Sequence, residues 1–280
     1  MKVWRIGAFA LLLMLGLAML AGSATVAQET DPAAIYQAAY DAFNAGDIEG
    51  GMAYFAEDVI GVVLPALEET DPAQIGKAAF QALMEEMLAI NAQWEFDDFR
   101  VSDNTVTYRV LFEAEDPMAE YGLYPLELYG HSVVRNGLIE SEVWSLSDAS
   151  RVQMDAVMAR MADEALVARW LNLWDTVNGD MAEFDEIVAE DFVSHNLPEG
   201  DREAMRAGIE GFRADNPGAY FPLEQLVIAD GKAYVMNRMW MVPEGAAEGE
   251  TGEPVGGPLL LVLGLEDGQV TERQLFVTPE

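Results

Sequence analysis

With 280 residues, 51% of them hydrophobic, the chain can build one large or two small packed domains, and global disorder is excluded. It has no cysteine, so disulfides and thiol chemistry are excluded too. A net charge of −34 at pH 7 argues against nucleic acid and anionic membranes as partners.

The N-terminus has the layout of an export signal. Lys2 and Arg5 precede an apolar or small-residue run from Ile6 to Ala21, and small residues follow at Ala24 and Ala27. The run is short for a membrane span, which takes about 20 residues. The expectation is a signal peptide over 1–27 and a periplasmic or extracellular mature protein.

Asp31-Pro32 then opens a helix in which Ile35, Ala38, Ala39, Ala42 and Phe43 recur at helical spacing. Asp47 caps a second, short helix reaching Tyr54, and Asp71-Pro72 caps a third. Strands are predicted near 93–101, 104–114, 126–135 and 138–146, with turns at Ser102–Asn104 and Arg135–Gly137. Residues 149–162 read as a helical linker. A helix follows over about 163–177, Asp180 and Asp201 cap two more, and strands recur near 220–229, 232–242, 257–265 and 270–278. The Gly-, Pro- and Glu-rich stretch 243–257 reads as a long hairpin loop.

The second half repeats the first. Tyr40-Asp-Ala-Phe-Asn-Ala-Gly-Asp47 is echoed by Trp174-Asp-Thr-Val-Asn-Gly-Asp180, and Phe55-Ala-Glu-Asp-Val59 by Val188-Ala-Glu-Asp-Phe192. Val134-Arg-Asn-Gly-Leu-Ile139 is answered by Leu265-Glu-Asp-Gly-Gln-Val270. Two domains are therefore expected, at 28–148 and 163–280. Three helices followed by strands is an α+β order. A curved antiparallel sheet closed by helices makes a cone, and a cone encloses an apolar cavity suited to a small molecule. Side-by-side packing of the two cones as an intramolecular pseudo-dimer is also expected.

These motifs, with Ala229-Asp-Gly231, Arg238 and Glu266-Asp-Gly-Gln-Val-Thr-Glu272 in the second copy and Asn136-Gly-Leu-Ile-Glu140 before Trp144 in the first, resemble SnoaL-like polyketide cyclase domains of the nuclear-transport-factor-two-like superfamily. The resemblance implies cone-shaped domains and no cofactor. The superfamily includes cyclases, ketosteroid isomerases, dehydratases, epoxide hydrolases and non-catalytic binders, so the fold does not choose among them. Cyclase-type members carry a histidine after the second helix and an aspartate on the penultimate strand. His195 matches that histidine, whereas Pro258–Leu265 has no acid. In the first copy Val62 stands at the histidine position and His131 lies on the penultimate strand.

On that basis His195 is the candidate acid–base group and Arg238 the candidate electrostatic stabiliser. Trp174, Trp240, Met236, Arg109, His131 and Trp144 are candidate ligand-binding residues. For each, a structural role is the competing explanation: a satisfied histidine, an ion-paired arginine or a core aromatic. Two distant histidines and no cysteine offer no metal motif. Two classes of function stay open. One is cofactor-independent acid–base chemistry (cyclase, isomerase, dehydratase or hydrolase) on a small carbonyl or polyketide-like compound. The other is a non-catalytic binder of a small apolar molecule or an interaction scaffold.

Overall fold

The computed structural model describes residues 31–64, 73–196, 198–243 and 252–277. The predicted signal segment, the Asp71-Pro72 cap and much of the 243–257 loop lie outside these. The chain divides into two compact units, up to Met154 and from Asp155.

The first unit begins with α1 (Pro32–Asn44) and α2 (Ile48–Met52). Asp31 caps α1 by accepting from the Ala33 amide at 3.0 Å, and Asp47 caps α2 by accepting from Gly50 at 2.8 Å. Each satisfies an amide left over at a helix start. Strand β1 (Phe55–Leu64) pairs with a short β2 (Ala73–Ile75). Helix α3 (Lys77–Ala89) follows Gly76, which adopts φ 89° and offers no side-chain cap. The third helix thus starts later than the aspartate–proline pair suggested, because Ala73–Ile75 is taken into the sheet. Strands β3 (Gln93–Ser102), β4 (Thr105–Glu113), β5 (Leu126–Arg135) and β6 (Leu138–Leu146) form an antiparallel meander, and the sheet order is β2-β1-β6-β5-β4-β3. It is closed by β1 running parallel to β6.

Helix α4 (Asp148–Trp174) is continuous through 149–162 and enters the second unit. There α5 (Phe184–Ile187), β7 (Val188–His195), β8 (Glu199–Asp201), α6 (Arg202–Asp215), β9 (Ala219–Tyr220), β10 (Leu223–Ala229), β11 (Lys232–Met241), β12 (Glu253–Glu266) and β13 (Gln269–Val277) repeat the plan. The order β10-β11-β12-β13-β7-β8 mirrors the first sheet element for element, and β9 is an added strand on β11. Asp180 and Asp201 cap as predicted, accepting from Ala182 at 2.8 Å and Ala204 at 3.0 Å. Asn136-Gly137, Asp230-Gly231 and Asp267-Gly268 all carry positive φ at both residues, as tight hairpins of the mirror-image turn class require.

Strands β1 and β7, with their short partners β2 and β8, are elements the sequence reading lacked. The repeated Ala-Glu-Asp of β1 and β7 lies in the strand, with both acids exposed, where the parallel pairing to the last strand slips between Phe55 and Ile60 and between Val188 and Val193. A bulge lets two charged neighbours face water while the apolar residues around them stay inside. In the second unit Trp170, Leu173, Phe184, Ile187, Phe192, Met205 and Ile209 form a core in which each is at most 1% exposed. Each such side chain contributes roughly 1.5–3 kcal/mol of burial free energy.

Candidate functional site: a filled cone and a hollow one

The interior face of each sheet decides the site. On β11, Ala233, Val235 and Asn237 point inward, while Tyr234, Met236 and Arg238 point out. The sequence reading placed Arg238 and Met236 inside the cone, and the structure corrects that. Apolar residues occupy both faces of this strand, so alternation could not say which face is buried. Arg238 pairs with Glu224 at 3.4 Å, with 45% of its side chain exposed. His195 is likewise on the outer face. Its Nε2 lies 3.3 Å from Glu272, whose carboxylate also takes Lys232 at 2.7 Å. These two partners, Lys232 before His195, hold the Glu272 carboxyl below its ordinary pKa. His195 and Arg238 therefore do not share a cavity.

The first-domain candidates divide in the same way. His131 is exposed, and Arg109 bonds Asp97 through Nε at 2.7 Å and Glu127 at 3.2 Å, both on the outer face. Trp144 is interior, but it is built into the core. Its Nε1 donates to Tyr108 at 2.8 Å and Tyr36 at 3.2 Å. Trp240 stacks obliquely with Tyr220 at 6.2 Å. Of the proposed ligand contacts, Trp174 does line a cavity.

At the centre of the first cone is Glu142, 2% exposed. Tyr40 donates to one of its oxygens at 2.7 Å and Tyr36 to the other at 2.9 Å. Tyr36 also lies 2.7 Å from the Tyr108 hydroxyl, which reaches Ser132 at 3.0 Å. Burial pushes the Glu142 carboxyl up to about 7, against the opposing pull of the hydroxyls of Tyr40 and Tyr36. The phenols are themselves raised by burial and then by the Glu142 charge. The space is filled by rings: Tyr36, Tyr40, Phe96 and Tyr108 all pack within 5.4 Å of a neighbour. Gly130 makes this possible, since a Cβ there would collide with the Tyr108 ring lying across it.

The second cone is hollow. A cavity of about 420 Å³ is lined by Trp170, Leu171, Trp174, Phe212, Phe221, Asn237, Met239, Leu259, Leu261, Arg273, Leu275 and neighbours on β12. Here Val235 pairs with Leu261 where the first sheet pairs Tyr108 with Gly130. Most notably, Arg273 stands where Glu142 does. Glu142 is opposite Ser132 and beside Gly61, and Arg273 is opposite Leu263 and beside Ser194. Arg273 is 3% exposed. Its Nη1 donates to the Asn196 carbonyl at 2.7 Å and to Ser194 Oγ at 3.4 Å, and its guanidinium lies 5.3 Å from the Trp174 ring. Burial lowers its pKa to about 10, so it is cationic at neutral pH. Asn196 in turn braces β13, with its amide bonding both the N–H and the C=O of Leu275 at 2.8 Å.

This doubled helix-and-cone architecture agrees with the model of the SnoaL-like domain, which matches residues 36–142 and 167–273, more than half of the chain. The chain belongs to the SnoaL-like domain family. Solved structures similar to it include a nuclear-transport-factor-two-like protein of unknown function from Cytophaga hutchinsonii (12% identity, 42% of this chain and 90% of that one, TM-score 0.34). A candidate ketosteroid isomerase from Kribbella flavida is similar at 18% identity, covering 41% and 76%, TM-score 0.33. So is a candidate polyketide cyclase from Sinorhizobium meliloti at 17%, covering 39% and 92%, TM-score 0.33. No curated protein matches the chain. Each SnoaL-like domain match ends on the charged residue of its cone, Glu142 or Arg273.

Sequence reasoning missed Arg273 and Asn237. A signal was there, because the offset of 131 between the two last hairpins aligns Glu142 with Arg273. Among the described residues, no group of three or more acidic or histidine side chains comes together as a metal site, and no helix is long and apolar enough to cross a membrane.

Proposed function

We propose that this protein is an exported small-molecule binder whose second SnoaL-like domain holds the ligand, while the first is a self-filled structural copy. The observation that carries the reading is the apolar cavity between Trp170, Trp174, Phe212 and Leu261, of a size typical of small-molecule sites. Arg273 is the ionisable side chain among its described lining residues. A guanidinium with a pKa near 10 is a poor proton shuttle at neutral pH, which supports binding over acid–base turnover. Export is supported by Lys2, Arg5 and the apolar run that follows them.

The test is a titration with the neutral, environment-sensitive dye N-phenyl-1-naphthylamine. Saturable, stoichiometric binding is expected in the native chain. Leu261→Trp, which adds bulk to the cavity wall, should weaken it by about tenfold or more, while costing no more than about 3 kcal/mol of stability. A native protein that takes up no dye, or a Leu261→Trp variant that binds as well as the native chain, removes the reading.

A further inference from the structure

The geometry points to an uncharged apolar amide or lactam as the ligand class of the second domain, its hydrocarbon body in the cavity and its amide group paired with the side-chain amide of Asn237. This rests on the binding reading above and goes further by naming the chemistry of the head group.

Three observations carry it. First, Asn237 is 3% exposed and lines the cavity, and among the described residues its side-chain amide has no hydrogen-bond partner. Buried polar groups are nearly always bonded, because leaving one unpaired is costly. An amide presents an N–H donor and a carbonyl acceptor side by side. The group that satisfies both at once carries an acceptor and a donor on neighbouring atoms, as a second amide does. A ketone or an ester would leave the Asn237 oxygen unpaired.

Second, the fold does not require a polar residue at this position. The matching residue of the first domain is Val110, which faces Leu128 across the strand pair as Asn237 faces Leu259. Val110 is fully buried in the filled cone. A valine serves the packing there, so the asparagine in the hollow cone answers to something other than packing.

Third, the Trp170 indole N–H, on another residue of the lining, is also buried without a partner among the described residues. The repeat places Trp170 where the first domain has Tyr36, whose hydroxyl bonds Glu142 and Tyr108. Indole is a donor only, and a carbonyl oxygen has two lone pairs. The oxygen of a ligand amide can therefore take up donors of both kinds, while its N–H serves the Asn237 oxygen. Arg273, in the same wall, donates to the Asn196 carbonyl and to Ser194 Oγ, and no part of the head group is assigned to it.

The experiment compares octanamide with 2-nonanone, which match in non-hydrogen atoms and differ in that the ketone has no N–H, by displacement of the neutral dye from the full chain at pH 7. Both should displace it from the native chain. Asn237→Val should lower the ratio of octanamide to 2-nonanone affinity by about tenfold, because the amide loses two hydrogen bonds and the ketone at most one. The same substitution should raise the melting temperature of the ligand-free protein by several degrees, since it removes an unpaired buried amide. Asn237→Leu should act in the same direction, and it decides the matter should Asn237→Val fail to fold. An unchanged affinity ratio, or a lower melting temperature in both variants, overturns the amide inference and leaves the binding reading standing. Failure of octanamide to displace a dye that does bind has the same meaning. If no dye binds, both fall together.

Discussion

One family fold is used twice in this chain with opposite interiors. In the first domain the position on the last strand is Glu142, wrapped by Tyr36, Tyr40 and Tyr108, with Gly130 clearing room for a ring. In the second it is Arg273, facing a cavity of about 420 Å³ beside two tryptophans, with Leu261 in place of the glycine. Backbone plan, the caps at Asp47 and Asp180, hairpins and bulges are shared. The difference lies in a handful of side chains from the first helix and two strands. A cone of this kind becomes a core when its own phenols pack around the buried charge, and a container when the side chains at the matching positions leave the space open.

The sharpest way to break the comparison is to hollow the first cone. Tyr40→Ala removes a fully buried ring and a donor to Glu142, and should cost about 4 kcal/mol. Trp174→Ala at the matching position borders existing space and should cost about half as much, roughly 2 kcal/mol. Hydrogen–deuterium exchange of peptides from each domain measures both, and equal losses would mean that the two interiors are alike in packing.

The next effect is electrostatic. Glu142 has a folded pKa of about 7 against an ordinary 4.5, so the folded state binds its proton more tightly than the unfolded one. That contribution is fully present below pH 4.5 and is lost as pH rises through about 7. It amounts to about 3 kcal/mol. Urea unfolding of the first domain at pH 4.5 and pH 8 should show the loss, and Glu142→Gln should remove this component of the pH dependence. A variant as pH-sensitive as the native protein would show that the slope comes from other groups.

The smallest effects belong to the outer faces. His195→Ala and Arg238→Ala break exposed contacts with Glu272 and Glu224, each worth about 0–1 kcal/mol. Neither should change dye affinity by more than about twofold. A tenfold loss in either would return these residues to the site.

The sequence by itself determined the two copies, the order of their main helices and hairpin strands, the caps at Asp31, Asp47, Asp180 and Asp201, and the Asn-Gly and Asp-Gly hairpins. All of these follow from capping and turn chemistry, which acts over a few neighbouring residues. It named Trp174 as a candidate ligand contact, with a core role as the competing explanation. It did not determine which face of β11 is inside, because Met236 and Trp240 make the outer face look like an inner one. Nor did it reveal Arg273, which lies in a polar run, Thr271-Glu-Arg-Gln274. The bulges at the start of β13 put Val270 and Arg273, three apart, on the same buried face, a spacing that simple alternation forbids. Ile139 and Glu142 repeat that spacing in the first domain. Only the tertiary structure decided which cone is full and which is open. That outcome depends on strand register at a bulge and on side chains from a helix a hundred residues away in the first domain, and neither is written in any local stretch of the chain.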